Sequence, residues 1–144
     1  MVSDMKKLIF ISVVLLWGCD KQEKQNIAEL LCFEQNPICQ KQIDKNTVKF
    51  SISPENAPSE EKITVDLYFS NPVQQLQSRI EGRDMFMGMI PVQWKKLSSD
   101  HYQAQILYGA CDSGSMIWRM SLEWSENKEI KTSFFDFESD RKKH

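Results

Sequence analysis

Histidine is nearly missing from this chain, with only His101 and His144 among 144 residues. A Ser-His-Asp arrangement would have to use His101, which opens an alternating stretch directly after a turn, and nothing around it resembles a nucleophile elbow. Glycine is scarce too, at five residues, and none falls into a phosphate-cradling loop or a dinucleotide fingerprint. HExxH is absent, and so few histidines and thiols leave little to build a zinc site of nitrogen and sulfur ligands. The one acidic pair, Glu60-Glu61, lies in a turn and reads as solvated charge. Neither sign of charge dominates: 18 basic residues face 20 acidic ones, a formal net charge of −2. That balance offers no basic stripe for nucleic acid and no polybasic patch for a lipid surface. No apolar run approaches the roughly 20 residues of a spanning helix. These absences argue against an enzyme, a nucleic-acid binder and a membrane-spanning helix.

What is present begins with the first eighteen residues. Lys6 and Lys7 precede an apolar run from Leu8 to Trp17, and Gly18-Cys19 follows. A charged start, a short apolar run and a small residue before the cleavage point describe a secretory leader, and Met5 is a second start site compatible with it. Leu16-Trp17-Gly18-Cys19 resembles a bacterial lipobox, a likeness carried by about fifteen residues, with Trp17 as its departure from the usual small side chain. The resemblance implies a signal peptide at 1–18, acyl chains on Cys19 and membrane attachment through that lipid. Asp20 resembles the signal for retention at the inner membrane, which implies the periplasmic face of that membrane. An ordinary secretory leader and an uncleaved anchor are the other readings, and each leaves the remaining chain outside the cytoplasm.

From Cys19 to His144 there is enough chain for one domain with a single core. With the leader gone, the net charge moves to about −3. Residues 19–26 are polar and read as a tether. Ile27, Leu30, Leu31 and Phe33 give a brief helical stripe. Asn36-Pro37 resembles an N-cap and first helical residue opening a second short helix over "ICQKQID". The expectation is a helical hairpin at 27–45, stapled by a disulfide between Cys32 and Cys39. Cys111 is left without an intramolecular partner, which suggests a metal, a partner, burial or thiol redox chemistry.

After Asn46 the period falls to two. Val48, Phe50 and Ile52 alternate with polar neighbours, as do Ile63, Val65, Leu67 and Phe69. A short strand is expected through Val73 and Leu76, a methionine-bearing strand from 84 towards Leu97, and another through Tyr102, Ala104, Ile106 and Tyr108. Met116, Trp118, Met120, Leu122 and Trp124 share one face of the strongest strand, and "EIKTSFFDF" closes the set. About seven short strands at this spacing predict a mainly β fold, an antiparallel immunoglobulin-like β-sandwich over 46–138. A small open barrel is the alternative. Residues 139–144 are expected to be a disordered tail.

Every methionine beyond the leader lies between 85 and 120. Met116 and Met120 share a face with two tryptophans and read as core. Met85, Met87 and Met89 alternate along "DMFMGMIPVQW", opposite Phe86, Ile90, Val92 and Trp94, so both faces of that strand are apolar. Three readings of the row stay open. It packs under the N-terminal hairpin, or it docks on another envelope protein together with Asp112 of the glycine-flanked loop 109–115. Or Met85, Met87, Met89 and Cys111 form a soft Cu(I) site. Expected, then, is a lipid-anchored accessory or binding protein with no catalytic residues, and a periplasmic Cu(I)-handling protein as the alternative.

Overall fold

The computed structural model describes residues 31–33, 36–110, 112 and 114–140. Nine strands are formed: β1 (Ile38–Ile43), β2 (Asn46–Ser53), β3 (Ile63–Phe69), β4 (Gln74–Gly82), β5 (Met89–Pro91), β6 (Lys95–Lys96), β7 (His101–Ile106), β8 (Ile117–Glu126) and β9 (Glu129–Glu138). They make a five-stranded sheet, β1-β2-β3-β7-β6, and a four-stranded sheet, β5-β4-β8-β9, with every pairing between these strands antiparallel. The fold is mainly β, and no helix occurs among the described residues.

Alternation places the core. Val48, Phe50 and Ile52 of β2, the four apolar residues of β3, and Tyr102, Ala104 and Ile106 of β7 all face inward. They meet Ile80 of β4, the buried face of β8 from Trp118 to Trp124, and Phe135 and Phe137 of β9. Phe50 stacks on Phe135 across the layer, with ring centroids 4.9 Å apart. Burying such a face contributes about 1.5–3 kcal/mol per large side chain, which is why the period of two in these strands settles their orientation.

The second helix of the expected hairpin is instead strand β1. Its residues alternate, with Cys39, Lys41 and Ile43 half-buried and Ile38, Gln40 and Gln42 exposed. A two-residue turn at Asp44-Lys45 pairs it with β2, and Asp44 takes the left-handed conformation (φ 52°) that aspartate tolerates well. Edge pairing along six residues outweighs a weak helical stripe. The parts of that hairpin at 27–30 and 34–35, the leader, Cys19 and the whole tether lie outside the described residues. The disulfide forms as expected, Cys32 to Cys39 with Cα atoms 5.2 Å apart. Its setting differs from the clip of a helical hairpin. Leu31 bridges to Asp136 of β9 in parallel, the Cys32 N–H donates to the Asp136 carbonyl at 2.8 Å, and Cys39 lies opposite Phe50 in the other sheet. The disulfide therefore ties the two sheets together along the edge of β9.

Three further expectations change. β4 is nine residues long, and a bulge at Gln75 (φ 52°) breaks its alternation. The run from 84 to 97 is not one strand: it yields a loop, β5, and β6 in the opposite sheet. Pro91 sits where its missing N–H faces away from β4, as an edge strand tolerates, and the Val92 N–H still donates to the Ser78 carbonyl at 3.0 Å before the chain crosses to β6. Finally, Ser139 and Asp140 are not part of a disordered tail. Ser139 is buried and its N–H donates to the Met116 carbonyl, while Asp140 bonds to Ala57 and Ser59. Residues 141–144 lie outside the described set.

Candidate docking surface

Gly82 ends β4, and the chain turns back over it at once. A Cβ built on this glycine would lie well inside 3.0 Å of the Met85 carbonyl oxygen and of Met116 Cε. The absence of a side chain is what lets the following loop close down. Arg83 then roots the loop. Its N–H donates to the Ile117 carbonyl at 2.9 Å, its guanidinium forks onto Asp84 at 2.8 and 3.0 Å, and Nη1 lies 3.5 Å from Asp136. The hydrogen bond from Arg83 holds the Asp84 carboxyl below its ordinary range, and the Asp84 bond in turn raises Arg83.

Asp136 is the buried anchor of this network. It is 1% exposed, and Arg119 binds it through both carboxylate oxygens at 2.7 and 2.8 Å. A carboxylate so deep persists only with its charge paired and its oxygens hydrogen-bonded. The Asp136 bond is also the main cause that raises the Arg119 pKa.

From this root the loop projects apolar side chains. Met85 is 50% exposed, Phe86 83%, Met87 38% and Met89 58%. Met85 and Met87 belong to the loop and only Met89 to a strand, so the three sulfurs do not form the one-faced row that alternation implied. Phe86, expected opposite the methionines, is the most exposed of the four. The expected alternation begins only at Ile90: Val92 is buried, Ile90 and Trp94 pack against the core, and Trp94 Nε1 donates to Ser78 Oγ at 2.6 Å. Among the described residues the row stays exposed, and residues 27–30 and 34–35 of the hairpin expected to pack over it lie outside them. Met116 and Met120, 8% and 0% exposed, are core as expected.

Met116, just before β8, lies at the same end of the sandwich: its Cε is close to Gly82, and the adjoining Ile117 carbonyl of β8 accepts from the Arg83 N–H. Asp112 is exposed. Cys111 lies outside the described residues, so its place in a Cu(I) site with Met85, Met87 and Met89 has no geometry. No group of three or more His, Cys, Asp or Glu side chains is gathered among the described residues. His101 pairs with Asp66 at 2.7 Å and stacks on Tyr68, with centroids 4.0 Å apart.

One feature had no signal in the sequence. The outer face of the four-stranded sheet forms an open groove of about 910 Å³, running from Met89 and Pro91 across Arg79 and Arg119 to Phe134 and Lys41. Lys41 Nζ lies 4.0 Å and the Arg119 guanidinium carbon 4.1 Å from the Phe134 ring centroid, both within cation–π range. Lys41 also donates to the Phe134 carbonyl, which covers part of the β9 edge. Burial pushes the Lys41 pKa down, partly offset by Asp136. Only pairing of strands far apart in sequence assembles this surface.

No family model matches the chain, and no curated protein matches it. Among solved structures it is similar to a DUF4785 family protein from Legionella pneumophila, with a TM-score of 0.51 and 11% identity over 66% of this chain. The chain spans about 28% of the length of that protein. It is also similar to the GAE domain of GGA2p from Saccharomyces cerevisiae, with a TM-score of 0.40 and 14% identity, covering 70% of this chain and 96% of that one. The first likeness concerns the fold alone, and the second carries no argument.

Proposed function

We propose that this chain is a lipid-anchored accessory protein of the bacterial envelope, which docks on another envelope protein through the 84–94 segment and the loop bearing Asp112. One observation carries the reading: Met85, Phe86 and Met87 of the loop and Met89 at the start of β5 are all exposed, beside a root held by the ion pairs of the buried Asp136. Isolated exposed apolar residues are ordinary, whereas four within five positions mark a contact surface. Covering each would contribute about 1.5–3 kcal/mol. The Arg83 contacts to Ile117, Asp84 and Asp136 that hold the root would limit the ordering entropy opposing association. The groove continues from Met89, so Arg79 and Glu81 would supply a polar rim to the contact.

The immunoglobulin-like character of the sandwich belongs to the same reading. β2-β3-β7-β6 follows the order A-B-E-D, and β4-β8-β9 follows C-F-G, with β5 beside β4 as an added strand. Attachment through acylated Cys19, on the periplasmic face of the inner membrane, rests on the lipobox resemblance. The stretch from Cys19 to Leu31 would then let the domain stand up to roughly 40 Å from the bilayer. A second reading uses the same exposed thioethers, with Cys111, as Cu(I) ligands.

The test places a photo-crosslinking amino acid at Phe86, and as a control at Ile130, 60% exposed in β9, in cells carrying the full chain. A discrete protein adduct at 86 and none at 130 supports docking. No adduct, or the same adduct at both positions, refutes it. A Cu(I) titration of the reduced chain, with tight binding that Cys111→Ser abolishes, would favour the metal reading instead. Cys19→Ser is expected to release the protein from membranes.

A further inference from the structure

We propose that Met85, Met87 and Met89 are a built-in oxidant-accepting surface, whose sulfoxidation by a peroxide converts these exposed apolar side chains into polar ones. The five methionines beyond the leader fall into two classes with nothing between them. Met85, Met87 and Met89 are 38–58% exposed, whereas Met116 and Met120 are at most 8% exposed and lie against the tryptophan-rich core. Peroxide reaches the first class in the folded state. It reaches the second only when the domain opens.

The reaction needs no group beyond the oxidant. A lone pair on the thioether sulfur attacks one oxygen of hydrogen peroxide, the O–O bond breaks, an S–O bond forms, and water leaves after proton transfer. Sulfur is oxidised by two electrons and the peroxide is reduced by two. The product is a strong hydrogen-bond acceptor in place of an apolar group.

The fold confines the consequence to the surface. The three methionines sit beyond Gly82 and the Arg83–Asp136 root, so their oxidation leaves the core contacts of Met120 and Trp118 untouched. Buried-methionine oxidation would unfold the domain; oxidation of these three changes only what the surface attracts. That the change switches off docking rests on the docking reading above, while the selectivity of the chemistry does not.

The experiment treats the full chain in its membranes with hydrogen peroxide and maps sulfoxides by mass spectrometry. Adduct yield at position 86 is followed in parallel. Expected is sulfoxide at Met85, Met87 and Met89 at least about ten-fold faster than at Met116 and Met120, with the 86 adduct falling as they form. A variant carrying Met85→Gln, Met87→Gln and Met89→Gln should show little adduct before oxidation and no further loss after it. Comparable rates at all five methionines, or oxidation of the buried pair first, overturns the assignment. Selective oxidation with an undiminished adduct overturns the switch and leaves docking standing. Selective oxidation in a protein that never forms the adduct supports the accepting surface and removes docking instead.

Discussion

Replacing Gly82 by alanine sets two effects of opposite sign against each other. Alanine restricts the unfolded chain, which alone stabilises by about 0.4–1 kcal/mol wherever the native backbone accepts it. Here the new methyl falls well inside 3.0 Å of two atoms. Met116 Cε can swing away, because it ends a flexible side chain. The Met85 carbonyl oxygen cannot, because it is backbone, and it must retreat by on the order of 1 Å to reach ordinary contact. Overpacking of this kind costs about 1–3 kcal/mol, and the retreat also strains the Arg83–Ile117 hydrogen bond. The clash wins, and Gly82→Ala is expected to lose about 1–2 kcal/mol, roughly 4–8 °C in Tm for a domain of this size. Urea and thermal unfolding of the variant measure it, and the crosslink at 86 reports the displaced loop. Gly88→Ala is the comparison: its φ of +84° penalises alanine by about 1–2 kcal/mol, although nothing lies within 4 Å. Adding Met116→Ala should leave most of the Gly82→Ala defect, since the carbonyl remains in place. A Gly82→Ala protein as stable as the parent would show that the loop does not close over Gly82.

Reduction of Cys32–Cys39, or Cys39→Ser, should cost about 2–3 kcal/mol by the chain-entropy argument for a sequence separation of seven; equal urea midpoints with and without reductant would contradict this. Trp118 and Trp124 have buried indole N–H groups with no acceptor among the described residues, whereas Trp94 donates to Ser78. In a proton–nitrogen correlation spectrum both indole resonances should lie upfield of that of Trp94, and three similar shifts would show a missed acceptor. Burial holds the Lys41 pKa below its ordinary 10.5, so in the window between the folded value and 10.5 the unfolded chain binds more protons. Its contribution to stability therefore rises with pH through that alkaline window. Lys41→Met should flatten the rise in pH-dependent urea unfolding, and a variant whose slope is unchanged would show that Lys41 is not the source.

Alternation along β2, β3, β7 and β8 is legible in the amino-acid sequence, because each of these strands buries one face and wets the other. A slip of one residue would turn Phe50, Leu67 or Trp118 into solvent. The same logic places Met116 and Met120 in the core, and the short spacing of Cys32 and Cys39 marks them as a pair. Where both faces are apolar the period vanishes, so residues 84–97 resemble one strand although they form a loop and two. Ile38 and Ile43 suit a helical stripe about as well as a strand, and the choice falls to the backbone edge that β2 offers. Exposure of Met85, Phe86 and Met87 depends on Gly82 leaving room for the Met85 carbonyl, a contact no local pattern encodes. The Asp136 anchor needs Arg83 and Arg119, which come from two other segments and meet it only once β4, β8 and β9 lie side by side. Local alternation is a property of the chain itself, so the sequence alone determined the core faces. Buried charge pairs, strand order and exposed apolar side chains depend on which strands become neighbours, and only the tertiary structure decided those.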